Sequence, residues 1–162
     1  MHSSQEIWAI LSEIPDPEIP VINIAELGML REVKVNDQGI EVFLTPTYSG
    51  CPATKMIEDE VRMKLSEHGI HQATITHVLS PAWTTDWLSE EAREKLRKYG
   101  IAPPEDATAS KAILTGKANP NPACPQCGSK HTQIINQFGS TACKALYKCL
   151  DCLEPFDYFK CI

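Results

Sequence analysis

Seven cysteines are the side chains of this sequence most able to do chemistry, and they fall into two groups. Cys51 stands alone in the first two-thirds of the chain. The others crowd the C-terminal part: Cys124, Cys127, Cys143, Cys149, Cys152 and Cys161. In a reducing compartment so many cysteines indicate metal binding or thiol reactivity rather than disulfides. Their uneven distribution predicts two modules.

Two CxxC motifs in the C-terminal group predict a metal site. Cys124-Pro125-Gln126-Cys127 and Cys149-Leu150-Asp151-Cys152 are separated by 21 residues. Each motif bends the backbone so that two sulfurs reach one ion, which makes the four cysteines a tetrahedral ligand set. We expect Zn²⁺ in a closed structural site that stabilises a module too small to fold on its own core. Iron in a rubredoxin-like site uses the same ligands, and the spacing does not exclude it.

Cys143 and Cys161 lie outside this four-cysteine set. One interpretation is that both are small buried apolar residues, since free cysteine is often buried. The other is that they supply extra thiolates for a second metal species. We therefore keep them as second-choice ligands.

Cys51 lies between a predicted strand and a predicted helix. Residues 40–45 alternate in polarity, and apolar residues recur at helical spacing further on: Met56, Ile57, Val61 and Leu65. Pro52 suits the first helical position, which places Cys51 at or beside the N-cap. There the free amides and the positive end of the helix dipole would face its sulfur and favour thiolate, the form that attacks electrophiles and binds soft metals. The alternative is a small buried hydrophobe.

Two carboxylates lie on a proline-rich loop near the N-terminus. Asp16-Pro17-Glu18-Ile19-Pro20 follows an amphipathic helix predicted over residues 5–14. One interpretation is a turn and a cap for the following segment. The other is a pair of oxygen ligands or acid/base groups held near another element.

The elements that must position these residues predict an α/β fold. A hairpin over residues 30–35 and 40–45, a helix to about Glu67 and a strand over 73–79 give a small helix–hairpin–helix–strand domain with a mixed three-stranded sheet. A charged helix follows between Ser89 and Gly100. We expect a domain over 1–101, a Pro-rich linker over 102–122, and a four-cysteine zinc ribbon over 123–162, with strands near 133–138 and 145–147 and a covering aromatic tail over 155–159.

Composition limits the partners that we expect. The net charge of −6 is a poor basis for binding a phosphate backbone, so nucleic acid is not an expected partner. No apolar run approaches the length of a membrane span, and the N-terminus has no signal-peptide pattern. We expect a cytoplasmic protein that does not bind membranes.

Several of these motifs resemble known families. Asp16-Pro17-Glu18-Ile19-Pro20, Leu27-Gly28-Met29, Gly50-Cys51-Pro52 and Pro81-Ala82-Trp83 resemble the iron–sulfur assembly domain of the MIP and SufT type. Segments 45–52 (TPTYSGCP), 138–147 (FGSTACKALY) and 154–161 (EPFDYFKC) resemble the narrower PaaD family of accessory proteins of the phenylacetyl-CoA epoxidase system. The resemblance covers both modules and leaves only the linker without a usable motif.

The resemblance implies a role in aerobic phenylacetate catabolism. It implies a factor that matures the iron–sulfur centre of the reductase or otherwise supports the multicomponent oxygenase. Our leading hypothesis is an assembly factor rather than the oxygenase catalyst. The family's reactive cysteine corresponds to Cys51, and its acidic loop to Asp16 and Glu18. The expected partners are the reductase and oxygenase subunits of the epoxidase. One cysteine cannot hold a cluster, so a transient iron–sulfur cluster or iron ion would require a homodimer or a partner's ligand.

Two competing hypotheses remain open at this point. Cys51 could act as a nucleophile or redox thiol on CoA thioesters, with His77 on the third predicted strand as a remote candidate base. Alternatively, the chain could be a structural subunit or scaffold of the epoxidase, in which Cys51 is inert.

Overall fold

The computed structural model describes residues 2–47, 50–104 and 120–159. Its contacts divide the chain into two compact units, 1–83 and 84–162. This division differs from the boundary that we expected after residue 101. The charged helix belongs to the second unit, because a strand that follows it, Ile101–Ala102, pairs within the ribbon sheet.

The first unit begins with helix α1, Ser4–Leu11. Ser3 caps it: the Ser3 side chain accepts from the Glu6 N–H, and the Glu6 carboxylate accepts from the Ser3 N–H at 2.6 Å. α1 buries Ile7 and Leu11. It ends earlier than predicted, at a C-cap on Ser12, whose hydroxyl donates to the Trp8 carbonyl at 2.8 Å.

The predicted mixed three-stranded sheet is confirmed. Strands β1 (Leu30–Asn36) and β2 (Gly39–Leu44) form an antiparallel hairpin. Strand β3 (Ala73–His77) pairs with β2 in parallel, so that Leu44 lies opposite His77. The parallel pairing requires the crossover that helix α2, Ala53–Glu67, supplies. Cys51 lies in the stretch between β2 and α2, so both elements determine where Cys51 lies in the fold.

The buried apolar face of α2 packs this crossover into the unit. Its buried residues follow one another at four-residue intervals along one face: Ala53, Ile57, Val61 and Leu65. After β3, the chain returns to the loop before β1, where the Trp83 indole Nε1–H donates to the Leu27 carbonyl at 2.8 Å. Trp83 is buried, so this bond satisfies a polar pair inside the unit.

The second unit begins with a short 3₁₀ turn at Thr85–Trp87 and helix α3, Glu90–Tyr99. The sequence predicted the ends of α3 correctly: the Ser89 side chain accepts from the Ala92 N–H, and Gly100 adopts the left-handed conformation with φ of 92°. Strand β4, Ile101–Ala102, follows directly.

The ribbon is a four-stranded sheet in the order β4-β7-β6-β5. β5 (Thr132–Asn136) and β6 (Lys144–Cys149) are antiparallel, as are β6 and β7 (Pro155–Phe159). The expected covering tail at 155–159 is therefore wrong: it forms β7, an inner strand between β4 and β6. Its aromatic residues still fill the core, since the rings of Tyr147 and Tyr158 meet edge to face with centroids 5.6 Å apart.

Within the described ranges, no helix combines the length and apolar character needed to cross a bilayer.

Candidate functional site

The structure brings the four cysteines of the two CxxC motifs together. The Sγ atoms of four cysteines all lie within 4.8 Å of one another: Cys124, Cys127, Cys149 and Cys152. Cys124 Sγ lies 3.7 Å from Cys152 Sγ, and Cys127 Sγ lies 3.5 Å from Cys149 Sγ. A tetrahedral ion with metal–sulfur bonds of about 2.3 Å requires sulfurs about 3.8 Å apart. The observed separations fit one zinc-sized ion among four sulfurs.

The thiol pKa values differ between the sulfurs of this cluster. Backbone N–H groups of Cys152 and Asp151 point at Cys149 and lower its pKa to about 7, with the Cys152 nitrogen 3.5 Å from the sulfur. The Glu154 backbone N–H lowers the pKa of Cys152, but burial and the neighbouring sulfurs outweigh it and raise that pKa to about 12. The surroundings therefore favour the thiolate form of Cys149 and disfavour that of Cys152.

Polar side chains join the two motifs beside the sulfurs. The Ser129 hydroxyl donates to Asp151 Oδ2, and His131 Nδ1 lies 3.1 Å from Asp151 Oδ1. These bonds hold the pKa of Asp151 below its usual value, the Ser129 bond being the larger cause and the His131 bond the next. Sequence reasoning missed this group, because Asp151 follows Ser129 by 22 residues and His131 by 20.

Cys51 lies where the sequence placed it, but its surroundings differ in detail. Gly50 takes a left-handed φ of 77°, which permits the tight turn. Pro52, rather than Cys51, is the N-cap of α2, with φ of −65°. Cys51 thus precedes the cap, and its carbonyl accepts from the Thr54 N–H at 3.1 Å. Among the described residues, none forms a hydrogen bond with its sulfur, and the residue is only 7% exposed.

The acidic loop is organised by Asp16. Asp16 Oδ1 accepts from the backbone N–H groups of Glu18 at 2.9 Å and Ile19 at 2.8 Å. Asp16 is buried, whereas Glu18 is half-buried. Asp16 Oδ1 thus caps the turn, in line with the turn-and-cap interpretation of this loop. Within the described ranges, no hydrogen bond joins Asp16 to Cys51.

The remaining sequence candidates are Cys143, Cys161 and His77. Cys143 is buried, and its sulfur lies 3.0 Å from the Thr141 hydroxyl oxygen. Cys161 falls outside the described residues. His77, the candidate base, has its Nε2 3.5 Å from Glu58 Oε2 on α2. The Arg62 hydrogen bond, followed by that of His77, keeps the pKa of Glu58 below its usual value.

Thr45 is a further residue that the sequence did not single out. It follows β2 and precedes Cys51 by six positions, and it is 1% exposed. Its hydroxyl has no hydrogen-bond partner in the described part of the chain. A buried hydroxyl in that condition requires an explanation, and a bound group is one. Nothing in the local sequence could have distinguished it from an ordinary strand threonine.

Comparison with known families matches both units of the chain. Residues 4–74 match the family described as iron–sulfur cluster assembly protein. Residues 107–160 match the PaaD zinc β-ribbon domain. Among solved structures, the domain of unknown function DUF59 from Bacillus anthracis has a TM-score of 0.53 and 25% identity, covering 57% of this chain and 90% of that one.

Whole-chain similarity extends the match. A protein from Escherichia coli that is described as a putative component of 1,2-phenylacetyl-CoA epoxidase is 51% identical over 97% of this chain and 92% of its own length. A protein named "Fe-S protein maturation auxiliary factor" from Porphyromonas gingivalis is 37% identical over 59% of this chain and 92% of its own. With both domain models matched in order and one relative matched almost end to end, the chain belongs to the PaaD family.

Proposed function

We propose that this chain is an accessory factor of a phenylacetyl-CoA epoxidase system, and that it assists the assembly or insertion of the iron–sulfur cluster of the reductase through Cys51. The observation that carries the proposal is the free Cys51 at the strand-to-helix turn of a domain that matches iron–sulfur cluster assembly proteins. Thiolate is the ligand that iron–sulfur clusters use.

Weak ligation suits a carrier, because a carrier must release its cargo. One cysteine per chain cannot hold a cluster alone, so the cluster would be shared with a second copy of this chain or with a partner's ligand. Asp16 would fix the acidic loop through the bonds from Glu18 and Ile19, and Glu18 would lend an oxygen or tune the thiol. Since Cys51 is 7% exposed, transfer requires its sulfur to become accessible.

The ribbon would hold one Zn²⁺ on its four cysteines. With four protein ligands, the ion has no open position, so it stabilises the fold and takes no part in transfer. We assign the ribbon a docking role toward the reductase or the oxygenase subunits. Two exposed leucines support this role: Leu150, inside the second CxxC motif, is 38% exposed, and Leu153, directly after it, is 63% exposed.

The test is the cluster content of the reductase produced together with this chain. Wild type and Cys51→Ala are compared at equal protein concentration and equal zinc content. Cys143→Ala is the control for loss of a buried cysteine from the other unit. Cys51→Ala is expected to abolish the support, and Cys143→Ala to retain it. Full cluster content with Cys51→Ala would contradict the proposal.

A second candidate function is a structural subunit of the epoxidase with an inert Cys51. The burial of Cys51 favours it, because small buried cysteines are commonly unreactive. This alternative predicts stable co-purification with the epoxidase in fixed stoichiometry, unchanged by Cys51→Ala.

A further inference from the structure

We propose that Ser129, Asp151 and His131 form a clamp that sets the spacing of the two CxxC motifs and so raises the metal affinity of the four-cysteine site. The inference rests on the proposed metal site, and it concerns the side chains around that site rather than its ligands. None of the three residues can be a ligand of the closed four-sulfur set.

The clamp is a closed network between one side chain of the second motif and two side chains of the segment that follows the first motif. Asp151 lies inside the second motif, between Cys149 and Cys152. Ser129 follows Cys127 by two positions and donates its hydroxyl proton to Asp151 Oδ2. His131 Nδ1 contacts Asp151 Oδ1 at 3.1 Å, while the His131 backbone N–H donates to Ser129 Oγ at 3.0 Å. Because a carboxylate only accepts, the His131 Nδ1–H is the donor.

Backbone bonds fasten the same residues to the cysteine motifs. The Cys124 N–H donates to the Ser129 carbonyl at 2.8 Å, and the Leu150 N–H donates to the His131 carbonyl at 2.8 Å. Ser129 is thus held to the first motif, and His131 to the second. A shift of one motif relative to the other would break the Asp151 bonds, so the network resists the change that would separate the sulfur pairs.

Exposure decides what the clamp contributes. The side chains of His131 and Asp151 are 67% and 55% exposed, so their ion pair adds little to folding stability. Polar groups that orient metal ligands have a larger effect on the metal, and losing one commonly costs about 10- to 100-fold in affinity. The clamp therefore predicts a loss of metal affinity that exceeds any loss of fold.

Charge makes an opposite prediction, which allows a sharp test. A bound four-thiolate site is anionic, so removing the negative charge of Asp151 would strengthen metal binding if charge alone mattered. Glu154 supplies the matched control. It is an exposed acidic residue two positions after Cys152, and its side chain forms no hydrogen bond or ion pair with any described residue.

The experiment measures zinc affinity of the full chain by competition with a chromogenic chelator, together with the visible bands of the Co²⁺-loaded protein. Asp151→Ala is expected to bind zinc about 10- to 100-fold more weakly than wild type and to shift the Co²⁺ bands. Asp151→Asn, which keeps an acceptor oxygen, is expected to recover part of the loss. Ser129→Ala is expected to weaken binding in the same direction, and Glu154→Ala to stay within about twofold.

The outcomes separate this proposal from the one it rests on. If wild type binds no metal at all, the four-cysteine site itself is refuted. If wild type binds one ion but Asp151→Ala matches Glu154→Ala or binds more tightly, the clamp alone is refuted. Should Asp151→Ala fail to fold in excess zinc, Ser129→Ala and Asp151→Asn decide the matter, and wild-type affinity in both would overturn the clamp.

Discussion

Replacing Leu153 by glycine is expected to stabilise the ribbon, although the change removes a large apolar side chain. Among the described residues, Leu153 is the only non-glycine residue with positive φ, at 67°. Gly128 occupies the corresponding position after the first CxxC motif, with φ of 77°. A residue with a Cβ is strained in this conformation and glycine is not.

The magnitude follows from two opposing terms. The left-handed conformation costs a residue with a Cβ roughly 1–2 kcal/mol. The greater flexibility of glycine in the unfolded chain lowers stability by about 0.4–1 kcal/mol and offsets part of this relief of strain. Leu153 is 63% exposed and therefore loses little burial on truncation. We expect the free energy of unfolding to rise by about 0.5–1 kcal/mol in Leu153→Gly.

Urea unfolding of the zinc-loaded chain at fixed zinc concentration measures this difference. Leu150→Gly, three positions earlier and inside the second CxxC motif, is the control, because Leu150 is 38% exposed and has no positive φ. The control loses both burial and unfolded-state restriction, so its stability should fall by at least about 1 kcal/mol. If Leu153→Gly falls as far as Leu150→Gly, the strain argument is refuted.

Two other predictions concern buried polar groups. Trp83→Phe leaves the Leu27 carbonyl without its indole donor, so the free energy of unfolding in urea should drop by about 1–3 kcal/mol. The control is Trp8→Phe, because the Trp8 indole is half-buried and forms no hydrogen bond to a described residue. This control should lower the free energy of unfolding by less. An equal loss in both variants would exclude the hydrogen bond as the cause. Burial raises the pKa of Tyr147 to about 12, so its stabilising effect is complete below pH about 10 and disappears as the pH rises toward 12. Tyr147→Phe, which also loses the bond to the Pro120 carbonyl, should be less stable at neutral pH but should lack this alkaline component; parallel pH curves for the two proteins would contradict it.

Local signals predicted most of the first unit. The hairpin, α2 and the parallel strand β3 follow from alternation, helical spacing and the crossover rule. Both ends of α3 could be predicted because Ser89 and Gly100 are cap residues with local chemistry.

Long-range pairing accounts for what the sequence did not reveal. β4 has only two residues and pairs with Asp157 and Tyr158, more than fifty positions away. No local pattern records such a partner, so the tail over 155–159 looked like a cover rather than an inner strand. The boundary expected after residue 101 differs from the division at residue 83 for the same reason.

The sequence predicted the ligands of the ribbon site but not the surroundings of Cys51 and Asp16. The four cysteines of the ribbon follow from motif spacing, because each CxxC motif constrains its own two sulfurs. The burial of Cys51 and the hydrogen bonds to Asp16 depend on how the surrounding chain packs. The Thr45 hydroxyl, which has no hydrogen-bond partner among the described residues, and the Asp151 network are likewise tertiary features that a single sequence does not encode in any short motif.

Anaerobic reconstitution with iron and sulfide measures whether Cys51 binds a cluster. Metal analysis and a visible spectrum are recorded for wild type and Cys51→Ala. We expect a sulfide-dependent chromophore in wild type that Cys51→Ala lacks, while both proteins keep one ribbon metal. Two proteins that hold only the ribbon metal and give the same spectrum would contradict cluster binding by Cys51.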